Sequence, residues 1–329
     1  MEKSEILNDL AAVFRWTARL NMHEGIANHF SVCAPNDDGF FINRSGSHFS
    51  KIKASDLIHV NKDNYEDLKQ KPEVVDPTAI NIHGEIHKNV PHAKCILHAH
   101  SKYATALSTL KNPFLPPIDQ NTMRFFNRVA FYNDFGGLGF EDEAKKMSKS
   151  MGNHKIMMLA NHGIITSGQT VAKAFDDLYY FEKACETYIT ALSTNQKLNI
   201  VSDEIAENTA QDWENYPIDL SKQHLDAIRK ILDSEDQSYK HWIMRLIFLI
   251  LVSLSIYNFS YAQKIERLGF YNLQEILEDD NLTYKILKGC VSMNSAVTEV
   301  IKKDYPDLAN EFFQSANYLY PFGILVLKK

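Results

Sequence analysis

Two histidines separated by a single residue, His98 and His100, close the apolar run CILHAH. Side chains two apart on a strand share a face, so both imidazoles can meet one ion. A His-x-His pair on a strand is a recurrent way to hold zinc. Alternation puts Ile96, His98 and His100 on one face and Cys95, Leu97 and Ala99 on the other. A catalytic zinc uses three protein ligands and keeps one position open. His162 is the candidate for the third, in the turn Asn161-His162-Gly163 after the apolar run IMMLA. A histidine flanked by Asn and Gly at a strand junction can be turned inward. The plain alternative is two histidines hydrogen-bonded at a strand end and a third exposed in a turn.

The elements that must position these groups read as one α/β domain over residues 1–240. Leu7, Leu10, Val13, Phe14 and Ala18 recur at helical spacing and predict an opening amphipathic helix. HFSVCA and GFFIN, split by Asn36-Asp37-Asp38-Gly39, predict a hairpin. Asp76-Pro77-Thr78 precedes a helix over about 79–89, and CILHAH follows as a buried strand. A helix over 141–151, two short strands around Asn161-His162-Gly163, and a long helix starting near Ser167 or Thr170 complete the pattern. Strands alternating with helices point to a sheet covered on its faces.

The 329-residue length suggests two domains. With 35 basic against 41 acidic residues, a formal charge of -6, no basic excess exists to neutralise phosphates, so no nucleic-acid partner is expected. Four scattered cysteines without a C-x-x-C fit a reducing compartment. The charged N-terminus is not a signal peptide, and residues 1–240 are expected in the cytoplasm.

The segments LNMHEGIANHFSV, INRSGSHFSKIKASDLI, VDPTAINIHGEIHKNVPHAKCILHAHSKYATAL and MMLANHGIITSGQTVAKAFDDLYYFEKACETY together resemble the class II aldolase/adducin domain, over roughly residues 5–240. The resemblance implies a three-layer α/β/α sandwich with a largely antiparallel central sheet. It implies zinc, or another divalent metal, on His98, His100 and His162. It also implies a homotetramer with sites at subunit interfaces, and a lyase or epimerase acting on a small-molecule substrate, a hydroxycarbonyl, hydroxy-acid or sugar phosphate, through a metal-stabilised enediolate. The sequence departs from the family's sugar-phosphate aldolases at one position. Their proton-transfer Glu stands nineteen residues before the first metal histidine, where this chain has Ala79. His83, one turn on from Ala79 and on its face, is the candidate replacement acid/base. Glu85 is a second, less well placed, since six residues rotate it by about 600° on a helix. The family's phosphate-binding positions match Asn28, Ser45, Gly46 and Thr78, with Pro77 replacing one Ser. Arg44 and His48 beside them could favour a carboxylate as readily. Asp119, Gln120, Asn121 and Arg124, in the segment 116–137, are further substrate-binding candidates. The rival function follows the adducin branch: it also lacks the aldolase Glu, and serves in cytoskeletal assembly as an oligomeric binding module. Retention of all three histidines favours chemistry.

Residues 243–262 change character. Arg245, the apolar core LIFLILVSL and Ser260-Tyr261-Ala262 before Gln263 read as a signal-like or transmembrane segment. The alternatives are a buried helix, a membrane anchor with residues 1–240 on the cytoplasmic side of Lys240 and Arg245, and two joined reading frames, the last preferred. Residues 263–329 are expected to form a small, mainly helical extension, with helices around Asn272–Glu278, Asn281–Lys288 and Met293–Lys302.

Overall fold

The computed structural model describes residues 2–134, 141–240, 316–319 and 324–327. The chain divides into two units, Met1–His241 and Trp242–Lys329. In the first, α1 (Lys3–Arg19) buries Leu7, Leu10, Val13 and Phe14 along one stripe, as the helical spacing of these residues predicts. Then follow β1 (His29–Val32), β2 (Phe40–Ile42), β3 (Ile58–Val60), α2 (Tyr65–Lys69), α3 (Pro77–Asn89), β4 (Cys95–Ala99), α4 (Lys102–Ser108), α5 (Gln120–Arg124) and β5 (Val129–Tyr132). The unit closes with α6 (Glu141–Met151), β6 (Ile156–Leu159), β7 (Gly163–Gly168), α7 (Val171–Ser193), α8 (Asp203–Glu214) and α9 (Leu220–Glu235).

The seven strands form one sheet in the order β3-β2-β1-β4-β7-β6-β5. Its pairings are antiparallel except that β5 runs parallel to β6. The sheet is therefore mixed, and the reason is local: α6 crosses over between β5 and β6, which returns the chain in the same direction. Helices cover both faces. Leu97 and Ala99 of β4 share a core with Phe14, Phe175, Leu178 and Phe181 of α1 and α7. Ile96 faces the other way, into a core with Ile82 and Ile86 of α3 and Met147 of α6.

Start signals in the sequence become caps. Asp76 Oδ1 accepts the Thr78 and Ala79 N–H groups at 2.8 and 3.4 Å, with Pro77 at the first helical position, where its missing donor costs nothing. Thr170 Oγ1 accepts from the Lys173 N–H at the start of α7. α9 is tied back to α1 by Arg229, whose guanidinium donates to Asp9 at 2.6 Å and Glu5 at 3.0 Å.

Of the second unit the structure describes β8 (Ala316–Leu319) and β9 (Ile324–Leu327), an antiparallel pair with Ala316 opposite Leu327. The sequence reading placed no element over these residues. YLYPFGILVL is rich in aromatic and branched residues around Pro-Phe-Gly, which is hairpin composition. The three expected helices and the apolar segment 243–262 lie outside the described residues. Among the described residues no helix is long and apolar enough to cross a membrane.

Candidate metal centre

His98 stands in β4, His100 just beyond its end, and His162 in the turn between β6 and β7. The pairing of β4 with β7, Ala99 opposite Ile164, brings that turn beside the histidine pair. Asn161 takes a left-handed backbone at φ 57°. A Cβ on Gly163 would stand 2.8 Å from the Ala99 carbonyl oxygen and 2.9 Å from His100 Cδ2. Only glycine lets the turn approach this closely.

The three Nε2 atoms converge. His100 Nε2 lies 3.0 Å from His98 Nε2 and 2.7 Å from His162 Nε2. Two of the rings are oriented from behind. His98 Nδ1 lies 3.1 Å from the Ile164 carbonyl oxygen, and His100 Nδ1 lies 2.5 Å from a Glu24 carboxylate oxygen. Both partners are acceptors, so both Nδ1 atoms carry the hydrogen, and in neutral rings both Nε2 atoms are bare lone pairs. Burial holds His98 well below the usual imidazole range and His162 down to about 4, with the neighbouring imidazoles adding to both shifts. Two bare nitrogens 3.0 Å apart cannot hydrogen-bond each other; a cation between or beside them resolves the repulsion. Three neutral imidazole nitrogens, two with fixed tautomers, match the ligand chemistry of zinc. His98, His100 and His162 would hold the ion.

Beside β4, on the face that carries His98, lies a second set of imidazoles. His29 pairs with His98 across the strands, ring centroids 4.8 Å apart. His29 Nδ1 is 2.7 Å from His83 Nε2, and His83 Nδ1 is 2.5 Å from Ser31 Oγ. Ser31 Oγ is 2.7 Å from His87 Nε2, and His87 Nδ1 is 2.7 Å from the Ala93 carbonyl oxygen. His83 is fully buried with both nitrogens bound. It therefore has no nitrogen left to meet a substrate, which corrects its expected direct role. The cause is packing: α3 lays its histidine face against β1. Glu85 accepts from Asn89 Nδ2 at 2.9 Å, on the stretch of α3 where Asn89 also meets Ser148 of α6, and does not enter the cluster. Ala79 is buried with Val75, Ile80 and Phe40 in an apolar core.

Of the expected anion-binding groups, Asn28 is tied to this centre through Glu24. Glu24, which holds His100, donates its N–H to Asn28 Oδ1 at 2.7 Å. Asn43 Nδ2 donates to the Asn28 carbonyl at 3.3 Å, and Ser45 N–H donates to the Val74 carbonyl at 2.9 Å. Gly46 follows at φ 72°. Thr78 Oγ1 donates to Asp76 Oδ1 at 2.7 Å. The Asn28 amide nitrogen is buried without a hydrogen-bond partner in the protein, which leaves a donor free for a ligand. Arg124 is elsewhere. Its guanidinium donates to Asp176 at 2.6 Å and lines a cavity of about 670 Å³ with Lys155, Lys173 and Trp213. That cavity opens at the Cys95 end of β4, opposite the histidine end. Arg124 is thus a structural cation for α7, drawn by two buried carboxylates, and not a group of the metal centre.

His29, Ser31, His87 and Glu24 escaped the sequence reading. A signal for three of them was present: His29 and Ser31 in the HFS of β1 alternate as HAH does in β4, and His87 stands four residues from His83 on one helix face.

Fold and site together define an α/β domain with a three-histidine cluster at the end of its central strands. The chain belongs to the family described as Class II Aldolase and Adducin N-terminal domain, which it matches over residues 8–189. It is 34% identical to the meiotically up-regulated gene 14 protein of Schizosaccharomyces pombe, over 55% of this chain and 70% of that protein. It is 30% identical to the decarboxylase NovR of Streptomyces niveus, over 63% of this chain and 79% of that protein. Among solved structures, the aldolase II superfamily protein from Pseudomonas syringae superimposes with a TM-score of 0.64 at 28% identity, covering 73% of this chain and 96% of that one.

Proposed function

We propose that residues 1–240 form a metal-dependent carbon–carbon lyase acting on a small hydroxycarbonyl or hydroxy-acid. The observation that carries this reading is the convergence of the His98, His100 and His162 Nε2 atoms, with His98 and His100 held as bare donors by the Ile164 carbonyl and Glu24. A divalent ion held there supplies a Lewis acid that polarises an oxygen of the substrate and offsets the charge left when a carbon–carbon bond breaks. The Asn28 amide and the Ser45-Gly46 turn bind the anionic end of the molecule, and Thr78 helps shape that wall.

Ala79 favours one branch of this chemistry over another. Aldol cleavage requires a base to take the hydroxyl proton, and Ala79 offers none. Decarboxylation breaks the bond to the carboxylate, releases CO2 and leaves the electron pair on the adjacent carbon, delocalised into a neighbouring carbonyl of the substrate as an enolate, and that carbon then takes a proton from solvent. The 30% identity to a protein named a decarboxylase points the same way. General acid/base groups contribute typically about 10²–10⁴-fold, so cleavage of fuculose- or rhamnulose-phosphate is expected to be slower than a competent aldolase by that order. The test is to measure metal content of the purified chain, then CO2 release and aldehyde release from a panel of hydroxy- and keto-acids and sugar phosphates. Robust sugar-phosphate cleavage would sink the argument from Ala79.

A second reading rests on the buried, apolar setting of Ala79: an adducin-like oligomeric binding module, in which the fold is kept and the chemistry lost. Absence of bound metal in the purified protein would favour it. In either reading the domain assembles as a homo-oligomer, expected to be a tetramer.

A further inference from the structure

The hydrogen-bond string between β1 and α3 can run in only one direction. The Ala93 carbonyl oxygen can only accept, so His87 Nδ1 carries its hydrogen. In a neutral ring His87 Nε2 is then bare, and the Ser31 hydroxyl must donate to it. With that hydrogen committed, Ser31 Oγ accepts from His83 Nδ1, which leaves His83 Nε2 bare. His83 Nε2 must therefore accept from His29 Nδ1. His29 is left with an unprotonated Nε2. The string as it stands places one hydrogen on each ring, and no carboxylate among the described residues hydrogen-bonds to any of the three. A single backbone carbonyl just before the start of β4 thereby dictates the tautomer of a ring beside the metal centre.

Where that lone pair stands is as informative as its existence. The two nitrogens of an imidazole point in roughly opposite directions, and His29 Nδ1 points at α3. The ring packs against His98, and its electrostatic neighbours are Asp76, His100 and His162. His29 Nε2 makes no hydrogen bond with any described residue. His29 is not a fourth ligand, since the group of nitrogens close enough to share an ion holds His98, His100 and His162. An acceptor next to, but outside, a coordination sphere recognises a donor on the coordinated molecule.

We propose that His29 Nε2 is the acceptor for a hydroxyl group of the small molecule held at the three-histidine centre, and that Ser31, His83 and His87 are positioning residues that fix it in this form. The inference rests on the reading of His98, His100 and His162 as a metal centre. It makes the centre selective for a chelating hydroxyl over the same oxygen carrying a methyl group. One hydrogen bond of this kind amounts to on the order of five- to tenfold in affinity.

The test uses the full chain loaded with cobalt(II), whose visible spectrum reports ligand binding, titrated with glycolate and with methoxyacetate. Both present a carboxylate and a neighbouring oxygen, and only glycolate has the proton. The ratio of the two affinities is expected to fall about five- to tenfold in His29→Phe while cobalt content stays at the wild-type level. Ser31→Ala, which leaves His29 in place, should lower the same ratio, and Ser31→Thr should restore it. Imidazole ¹⁵N spectra of the metal-free protein should show His29 and His87 protonated at Nδ1 and bare at Nε2. The Ser31→Ala change should mix the His29 tautomers, an effect that simple loss of packing would not give. An unchanged ratio in both His29→Phe and Ser31→Ala, or a wild-type His29 protonated at Nε2, overturns the proposal. A wild-type protein that takes up no cobalt overturns the metal centre itself, and is distinguished by that measurement alone.

Discussion

His98 is the residue on which the centre turns, because its ring is buried, fixed by the Ile164 carbonyl and in contact with both other ligands. His98→Ala is expected to abolish stoichiometric metal, measured by elemental analysis; unchanged content would refute the assignment. A second prediction concerns acid. Burial lowers His87 to about 4 from an ordinary 6.5. A depressed folded value means the neutral ring adds stability above pH 6.5, and that contribution is lost as the pH falls from 6.5 towards 4. At about 1.4 kcal/mol per pH unit the full loss is on the order of 3 kcal/mol. Asp9 and Asp177 oppose it, since burial raises each to about 6 and their contribution is lost as pH rises towards that value. The imidazoles His29, His83 and His98 act in the same sense as His87 and outnumber the acids. Thermal melting of the metal-free protein should therefore drop between pH 6.5 and 4, less steeply in His87→Gln. A flat or rising profile would contradict the burial of neutral rings.

At the level of elements, the turn between β6 and β7 carries the third ligand, and its approach to β4 leaves no room at Gly163. Gly163→Ala would drive a methyl group against His100 and the Ala99 carbonyl, and should weaken metal binding by roughly 10- to 100-fold, the range typical for loss of an orienting contact. Competition with a chromogenic chelator measures it. An unaltered affinity would mean that the turn yields without moving His100. The start of α3 is a separate case. Asp76 caps the helix and lies close enough to His29 for their charges to influence each other. Asp76→Ala should cost about 1 kcal/mol of stability in denaturant unfolding. A neutral effect would show that the Pro77 start suffices.

For the whole molecule, the seven-stranded sheet, the apolar cores packed against it and all three ligands lie within Met1–His241. A chain of residues 1–240 is therefore expected to be soluble and to bind one metal ion per chain without residues 243–329. Side-by-side expression with the full chain checks this, and an insoluble or metal-free short chain would refute it. Intact mass spectrometry of the native protein then separates one continuous chain from two joined reading frames.

Much of this was legible from sequence because it depends on local periodicity. The strand CILHAH, its two faces, the Asn-His-Gly turn and the Asp76-Pro77 helix start follow from spacing and backbone chemistry alone. The Asn-His-Gly turn offered His162 as a third ligand, and the resemblance to class II aldolases joined it to the pair, which no local pattern does across the separation of 62 residues between His100 and His162. What the tertiary structure alone decided is which neighbours each polar group finds. His83 had the right helical face for catalysis, yet β1 supplies Ser31 and His29 to both its nitrogens. Arg124 had the charge for an anion, yet α7 brings Asp176 to it. Pairing of β5 parallel to β6 likewise depends on where α6 packs. A side chain's role is set by contacts distant in sequence, and those are fixed only when the sheet closes its register and the helices take their faces.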